Sequence, residues 1–65
     1  MSGEFYRIVT KELAAIGFAI KPGGKGSHEK WCGGAADITL IVPQNLKSRH
    51  TANAILKDAG SDKRV

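Results

Sequence analysis

The stretch FAIKPGGKGSHEKWC, residues 18–32, decides how this chain folds, because it contains two strand-like segments around a glycine-rich break. In its first part, Phe18 and Ile20 alternate with Ala19 and Lys21, which predicts a strand over residues 18–21. Pro22 and three glycines then interrupt this alternation. The pattern therefore predicts a strand that ends at Lys21 and a basic loop that follows it.

The second part of the stretch, SHEKWC (residues 27–32), predicts the partner strand. Successive side chains point to opposite faces of a strand, so Glu29 and Trp31 share one face while His28 and Lys30 share the other. Trp31 is the only large apolar side chain in this segment, and we expect its face to point toward the core. His28 and Lys30 would then point together to the opposite side of the sheet.

The segment before the hairpin predicts an amphipathic helix. Ser2 is a plausible N-cap, and Gly17 is placed to be the first residue after the helix. The helix would bury one apolar stripe. Its members recur at helical spacing and are Phe5, Ile8, Val9, Leu13 and Ile16.

The rest of the chain predicts a third strand and a second helix. The segment ITLIVP, residues 38–43, alternates with Ile38, Leu40 and Val42 on its inner face. The segment TANAILKDAG, residues 51–60, has helical spacing, with Ser48 or Thr51 as the candidate cap. Its predicted buried residues are Ala52, Ile55, Leu56 and Ala59, and Gly60 is the predicted residue after the helix.

The predicted fold is a single α+β domain over residues 1–65, with a core from 5 to 60 and a frayed, charged tail at 61–65. The element order is α-β-β-β-α. Two amphipathic helices would pack on one face of a three-stranded antiparallel sheet and leave the other face open to solvent.

The charge of the chain favours a polyanionic partner. Ten lysines and arginines against six acidic residues give a net charge of +4, and the sequence pI is about 9.6. A small basic domain attracts nucleic acid above all, although a merely solubilising surface is the alternative interpretation.

Composition also argues against several classes of protein. The single cysteine, Cys32, excludes an internal disulfide, and no Cys/His grouping has zinc-site spacing. No apolar run approaches the roughly 20 residues of a membrane span, and the N-terminus lacks the apolar core of a signal peptide. We therefore expect a reduced, cytoplasmic protein that needs no metal, small-molecule cofactor or membrane.

The glycine-rich loop fits two familiar phosphate-binding patterns poorly. A Walker A loop requires different spacing before a long helix, and the GxxG loop of KH domains joins two helices rather than two strands. The physics of the loop still favours an anion, because glycines let the backbone approach a phosphate and Lys25 adds positive charge. Ser27 adds a hydroxyl donor beside them.

His28 is the candidate catalytic residue. Imidazole has an ordinary pKa of about 6.5, so it can accept and donate protons at neutral pH. Against RNA it would remove the 2′-hydroxyl proton, so that this oxygen attacks the adjacent phosphate without a metal. Lys25 and Lys30 would stabilise the developing charge. On spacing alone, an incidental surface histidine on a β-turn is the favoured interpretation of His28, and His50 is more simply a solvated side chain.

Several of these residues carry a resemblance to a known family. The N-terminal half resembles HicA-type toxins, the small mRNA interferases of bacterial type II toxin–antitoxin systems. The similar features are Tyr6-Arg7 near the start of the helix, Gly17-Phe18 entering the first strand, and Gly26-Ser27-His28 at the second strand. In the second half, the strand ending in Val-Pro and the segment ILKDAG, residues 55–60, are similar too.

The resemblance covers residues 5–60 and implies both a fold and a function. It implies a double-stranded-RNA-binding-domain-like fold, ribonuclease activity on mRNA with His28 as catalytic residue, and inhibition by a HicB-type antitoxin that covers the active face. The residues that we expect to contact RNA are Lys21, Lys25, Gly26, Ser27, Lys30, Lys47 and Arg49. The general acid is left open among His50, Lys25, a water molecule and His28 itself.

Two features depart from the family's pattern. The residue after the histidine is usually neutral or apolar, whereas this chain has Glu29. The second hairpin, WCGGAAD, is compressed, so contacts that longer hairpins make with RNA would be missing. A non-catalytic RNA-binding module and a protein-interaction domain with a basic face are the alternative functions.

Overall fold

The computed structural model describes residues 4–35 and 37–65. It confirms the predicted order of elements in an α+β domain. The helices and strands are α1 (Glu4–Ala15), β1 (Phe18–Lys25), β2 (His28–Gly33), β3 (Ile38–Pro43) and α2 (Arg49–Asp58). The predicted N-cap at Ser2 lies outside the described residues.

The sheet is an antiparallel meander in the order β1-β2-β3. Its first hairpin is irregular: Lys21 pairs with Lys30 and Lys25 pairs with His28. Three residues of β1, 22–24, therefore lie opposite the single residue Glu29, so β1 carries two extra residues in a bulge.

The prediction that the first strand ends at Lys21 is wrong, because β1 continues to Lys25. Pro22 cannot donate a ladder hydrogen bond, and glycine weakens a strand interior. Both are nevertheless tolerated on an edge strand, which β1 is, and at a bulge. The expected glycine loop is therefore a bulged hairpin arm with a short turn at residues 26–27.

The core lies between the sheet and the two helices, as predicted. Its fully buried side chains are Val9 and Leu13 of α1, Val42 of β3, and Ala52 and Leu56 of α2. The expected inner face of β3 is confirmed, since Leu40 and Val42 are buried and Ile38 packs against them. Ile8 is the exception in the predicted stripe of α1, because 44% of it is exposed.

The second helix has well-defined ends. Ser48, one of the two candidate caps, is the N-cap, and its Oγ accepts a hydrogen bond from the Thr51 N–H at 3.2 Å. After α2, Gly60 has a positive φ of 85°. The Gly60 N–H then bonds the Lys57 carbonyl, and the Ser61 N–H bonds the Leu56 carbonyl. This pair of bonds is a Schellman motif and reverses the chain direction.

The last five residues differ from the expected frayed tail, because they lie against both helices. The Ser61 side chain is buried and donates to Glu12 Oε2 at 2.8 Å. The Val65 N–H donates to Asn53 Oδ1 at 2.7 Å, and Val65 packs against the core. The reversal at Gly60 explains the difference, since it returns the tail over the helix layer instead of into solvent.

No helix within residues 4–35 and 37–65 has the length and apolar character needed to cross a lipid bilayer.

Candidate functional site

His28 lies at the first position of β2, immediately after the hairpin turn, and its side chain is exposed. The turn consists of Gly26 and Ser27, and Gly26 has a φ of +57°, which an L-residue adopts only with strain. The Ser27 carbonyl accepts a hydrogen bond from the Gln44 N–H at 2.7 Å. The turn that presents His28 is therefore anchored to the end of β3.

Gly24 brings the bulge of β1 against the backbone of β2. A Cβ at this position would overlap the His28 carbonyl oxygen and approach Glu29 Cα and the Lys30 nitrogen to 3.3 Å. Only glycine permits this close approach without a shift of the chain. The composition of the loop thus serves the packing of the hairpin beside His28, in addition to any contact with a ligand.

The face of the sheet turned away from the helices, here called the open face, is basic at the β1–β2 end. Pairing places Lys21 opposite Lys30 and Lys25 opposite His28. Directly paired side chains lie on the same face of a sheet, and like charges in such a pair are destabilising. Lys30 also pairs with Ile41 of β3, which is 54% exposed on the same face. Three lysines and a histidine therefore share one surface with an exposed apolar side chain.

A shallow cleft of about 240 Å³ lies at this end of the hairpin. It brings together His28 and three of the predicted RNA-contacting residues, which are Lys21, Gly26 and Lys30. Lys25 and Ser27 belong to the same hairpin but do not line the cleft. Lys47 and Arg49 are exposed, in the connector and at the start of α2, and lie outside the lining as well.

Glu29 lies on the helix side of β2, as the alternation predicted, where both of its oxygens accept hydrogen bonds. Tyr6 Oη donates to Oε1 at 2.6 Å, and Trp31 Nε1 donates to the same oxygen at 3.2 Å. Gln44 Nε2 donates to Oε2 at 3.0 Å. One carboxylate thus connects α1, β2 and the segment after β3, although it also borders the cleft.

These contacts shift two pKa values in opposite directions. Burial raises the pKa of Glu29, but the hydrogen bonds from Tyr6, Trp31 and Gln44 outweigh it and leave that pKa below its usual range. The hydrogen bond to Glu29, aided by burial and by the negative charge of the carboxylate, raises the pKa of Tyr6 to about 12. Glu29 is thus held as an anion and Tyr6 as a neutral donor.

Sequence reasoning missed two residues of the cleft, Gln44 and Ile20. Gln44 lies directly after β3, and no local sequence pattern indicates its bonds to Ser27 and Glu29. Ile20 pairs with Trp31, yet it is 51% exposed. It lies on an edge strand, and alternation alone does not predict how far the rest of the fold covers that strand.

Within the described ranges, no three His, Cys, Asp or Glu side chains come close enough together to hold a metal ion. His50 is exposed in the first turn of α2 and does not line the cleft. The titratable groups that border the cleft are therefore Lys21, His28, Glu29 and Lys30.

None of the protein-family models, curated proteins or solved structures compared with this chain matches it. What the chain does must therefore be inferred from its own residues.

Proposed function

We propose that this protein is a toxin ribonuclease of the HicA type, an mRNA interferase that cleaves RNA with His28 as general base. One observation carries the proposal: the exposed side chain of His28 borders a cleft together with two lysines paired across adjacent strands. A histidine placed beside a site for phosphate is the arrangement that metal-independent RNA cleavage requires.

In the proposed reaction, an imidazole nitrogen of His28 takes the proton of a ribose 2′-hydroxyl. The 2′-oxygen attacks the adjacent phosphorus, and the bond from phosphorus to the 5′-oxygen breaks. The products are a 2′,3′-cyclic phosphate and a 5′-hydroxyl, which receives one proton. Lys21 and Lys30 face the phosphoryl oxygens and stabilise the negative charge that builds on them in the transition state.

Two further parts of the proposal follow from the same surface. The α-β-β-β-α order supports a double-stranded-RNA-binding-domain-like fold, and on this chain the basic open face would receive the nucleic acid. A HicB-type antitoxin would inhibit the enzyme by covering this face and the cleft. Since Lys25 pairs directly with His28 whereas His50 lies on α2 outside the cleft, the proton donor to the leaving oxygen is Lys25, a water molecule or the protonated His28.

The test is cleavage of RNA by the purified protein in EDTA, with His28→Ala and His50→Ala compared side by side. We expect cyclic-phosphate products from the wild type and from His50→Ala, and a loss of at least about 100-fold for His28→Ala. The exposed position of His28 means that its removal should leave the fold intact, which circular dichroism checks. Equal cleavage by wild type and His28→Ala would show that the assignment is wrong.

A non-catalytic RNA-binding module is the second candidate, because the cross-strand lysines alone would attract a phosphate backbone. It predicts salt-sensitive RNA binding with no cyclic-phosphate product and no effect of His28→Ala on cell growth. A protein-interaction domain whose basic face meets an acidic partner would leave RNA unbound at low salt.

A further inference from the structure

A second concave surface, here called the helix groove, lies between α1, α2 and the C-terminal tail, and its volume is about 350 Å³. Its apolar part is formed by the exposed side chains of Ile8 and Ala15, which lie beside the fully buried Leu56. It shares no lining residue with the cleft beside His28. Ile8 is the residue that departs from the predicted core, and its exposed fraction of 44% is high for a large side chain on the apolar stripe of a helix.

The charged residues around the helix groove are Lys11, Glu12, Lys63 and Arg64. Three positive charges against one negative charge leave a net charge of +2 on this small surface. The carboxylate is already engaged, because Glu12 accepts from Ser61 Oγ at 2.8 Å and lies 3.6 Å from Lys63 Nζ. It is also mostly buried, with 13% of its side chain exposed, while the Lys63 side chain is 75% exposed.

The remaining cations have no carboxylate partner in the described part of the chain. Arg64 Nη1 donates to two backbone carbonyls, those of Ser61 at 2.9 Å and Lys63 at 2.6 Å. These bonds fix the position of the guanidinium but do not neutralise its charge. Lys11 forms no ion pair with any described residue. The rim therefore presents positive charge held in place around an apolar floor.

We propose that the helix groove is a docking site for an acidic amphipathic segment of a partner protein. An apolar side chain of that segment would cover Ile8 and Ala15, and its carboxylates would pair with Lys11 and Arg64. Charge complementarity selects this occupant, because an apolar floor gives little to a nucleic acid while the net positive rim repels a basic peptide. The inference does not depend on the proposed ribonuclease activity, and the partner would bind without covering His28.

The contacts of the tail are a necessary part of this surface. Lys63 and Arg64 reach the rim because Ser61 is held by Glu12 and Val65 is held by Asn53. Had residues 61–65 frayed, two of the three cations would be absent from the groove. The two helices therefore form the floor of the groove, and the tail supplies two of the three cations on its rim.

The test uses a fluorescent peptide of about 15 residues, near the length at which an isolated helix begins to form in water. Leucines at helical spacing form one face of this probe and glutamates fill the other. Binding is measured by fluorescence anisotropy at low salt, where exposed charges are least screened. We expect the probe to bind, and the same peptide with lysines in place of the glutamates to bind at least about tenfold more weakly.

Two variants locate the binding. Ile8→Asp places a negative charge on the apolar floor, where it repels the glutamates of the probe. Lys11→Glu with Arg64→Glu reverses the sign of two charges on the rim. Each variant should weaken the probe's affinity by at least about tenfold. The matched controls are Ile41→Asp, at an isoleucine of similar exposure on the open face, and Lys25→Glu with Lys47→Glu, at other exposed lysines. These controls, and His28→Ala, should bind the probe like the wild type.

Several results would overturn the proposal. They are absence of probe binding at low salt, an equal loss in the control variants, and equal affinity for the lysine peptide. Displacement of the probe by a single-stranded RNA would assign the surface to nucleic acid instead. Self-association that disappears in Ile8→Asp would assign it to a second copy of this chain. Circular dichroism of each variant separates lost binding from lost folding.

Discussion

Glu29 is the only carboxylate among the described residues that border the cleft. Its negative charge opposes a phosphate in the cleft, while hydrogen bonds from Tyr6, Trp31 and Gln44 engage both of its oxygens. Glu29 thus acts chiefly as an anchor that fixes β2 to α1. Although the residue after the histidine is usually neutral or apolar in the HicA-type pattern, Glu29 does not share a face with His28. The Glu29 side chain points to the helix side, while His28 points to the open face.

The raised pKa of Tyr6 gives a measurable test of this anchor. The protein contains one tyrosine, so absorbance of the phenolate reports this residue alone. We expect its titration midpoint at about 12, because Glu29 favours the neutral phenol. In Glu29→Gln the midpoint should fall toward the ordinary tyrosine value of about 10.

The raised pKa of Tyr6 also determines how the free energy of unfolding changes with pH. Because the pKa of Tyr6 is higher in the folded than in the unfolded state, the hydrogen bond between Tyr6 and Glu29 stabilises the fold fully below a pH of about 10. This stabilisation is lost as the pH rises through about 12. For the titration of Tyr6, Asp62→Asn is the control, since it removes an exposed carboxylate elsewhere and should leave the Tyr6 midpoint unchanged. A wild-type midpoint near 10 in a chain that is still folded would contradict the anchor.

The orientation of Glu29 could be predicted from the sequence, but its partners could not. Alternation along a strand determines which face each side chain occupies, so the separation of Glu29 and Trp31 from His28 and Lys30 followed directly. The bond from Tyr6 joins residues 23 positions apart, and its length depends on how α1 packs over the sheet. No local sequence pattern predicts a contact between residues so far apart in the chain. Gln44 was missed for the same reason, because its bond to Glu29 also joins distant positions.

At the scale of the element, the β1–β2 hairpin depends on two glycines for different physical reasons. We expect Gly24→Ala to lower the free energy of unfolding by about 2 kcal/mol, because the added methyl overlaps the backbone of β2. Gly26→Ala has open space around it and should cost only about 1 kcal/mol, from its positive φ. Urea unfolding measures both values.

Amide chemical shifts distinguish the two mechanisms further. Gly24→Ala should shift the resonances of residues 28–30, whose backbone it contacts, while Gly26→Ala should perturb the turn alone. Gly26→Asn serves as the control, because asparagine tolerates positive φ better than alanine and should recover part of the lost stability. Similar losses and similar shift patterns for Gly24→Ala and Gly26→Ala would be inconsistent with a close approach at Gly24.

The elements that could be predicted are those whose whole length obeys one period. β3 and α2 have uninterrupted periods of 2 and 3.6, from which the bounds of β3 and the buried residues Ala52, Ile55 and Leu56 of α2 were predicted. The helix itself lies two residues earlier than the predicted segment 51–60.

The predicted β1 was too short, because Pro22 and the glycines normally end a strand. Pairing with β2 keeps this segment in the sheet as far as Lys25. Ile8 was misplaced, because helical spacing shows which face of α1 is apolar but not how far the neighbouring elements cover it.

At the scale of the whole molecule, positive charge is concentrated on two separate surfaces. The open face holds the paired Lys21 and Lys30, and the helix groove holds Lys11, Lys63 and Arg64. Charge counted along the sequence does not reveal this division, because the tail that contributes to the groove returns only after the reversal at Gly60. The two surfaces can therefore be tested separately by charge substitution.

Replacing both Lys21 and Lys30 by glutamine should change stability and RNA binding in opposite senses. Like charges directly opposite each other destabilise a sheet, so we expect the double variant to be more stable by a few tenths to about 1 kcal/mol. Loss of two phosphate contacts should weaken binding of single-stranded RNA. It should also make the slope of log affinity against log salt shallower by about 1.4. Urea unfolding and salt titrations of RNA binding provide the two measurements.

The matched control is Lys11→Gln with Lys63→Gln, which removes the same net charge from the helix groove. If RNA responded only to total charge, both double variants would flatten the salt dependence equally, and the open face would lose its role as the nucleic-acid surface. Binding at the open face instead requires that only the Lys21 and Lys30 variant changes the slope. Higher stability together with weaker RNA binding in that variant would show that the unfavourable lysine pair is retained for its affinity to phosphate.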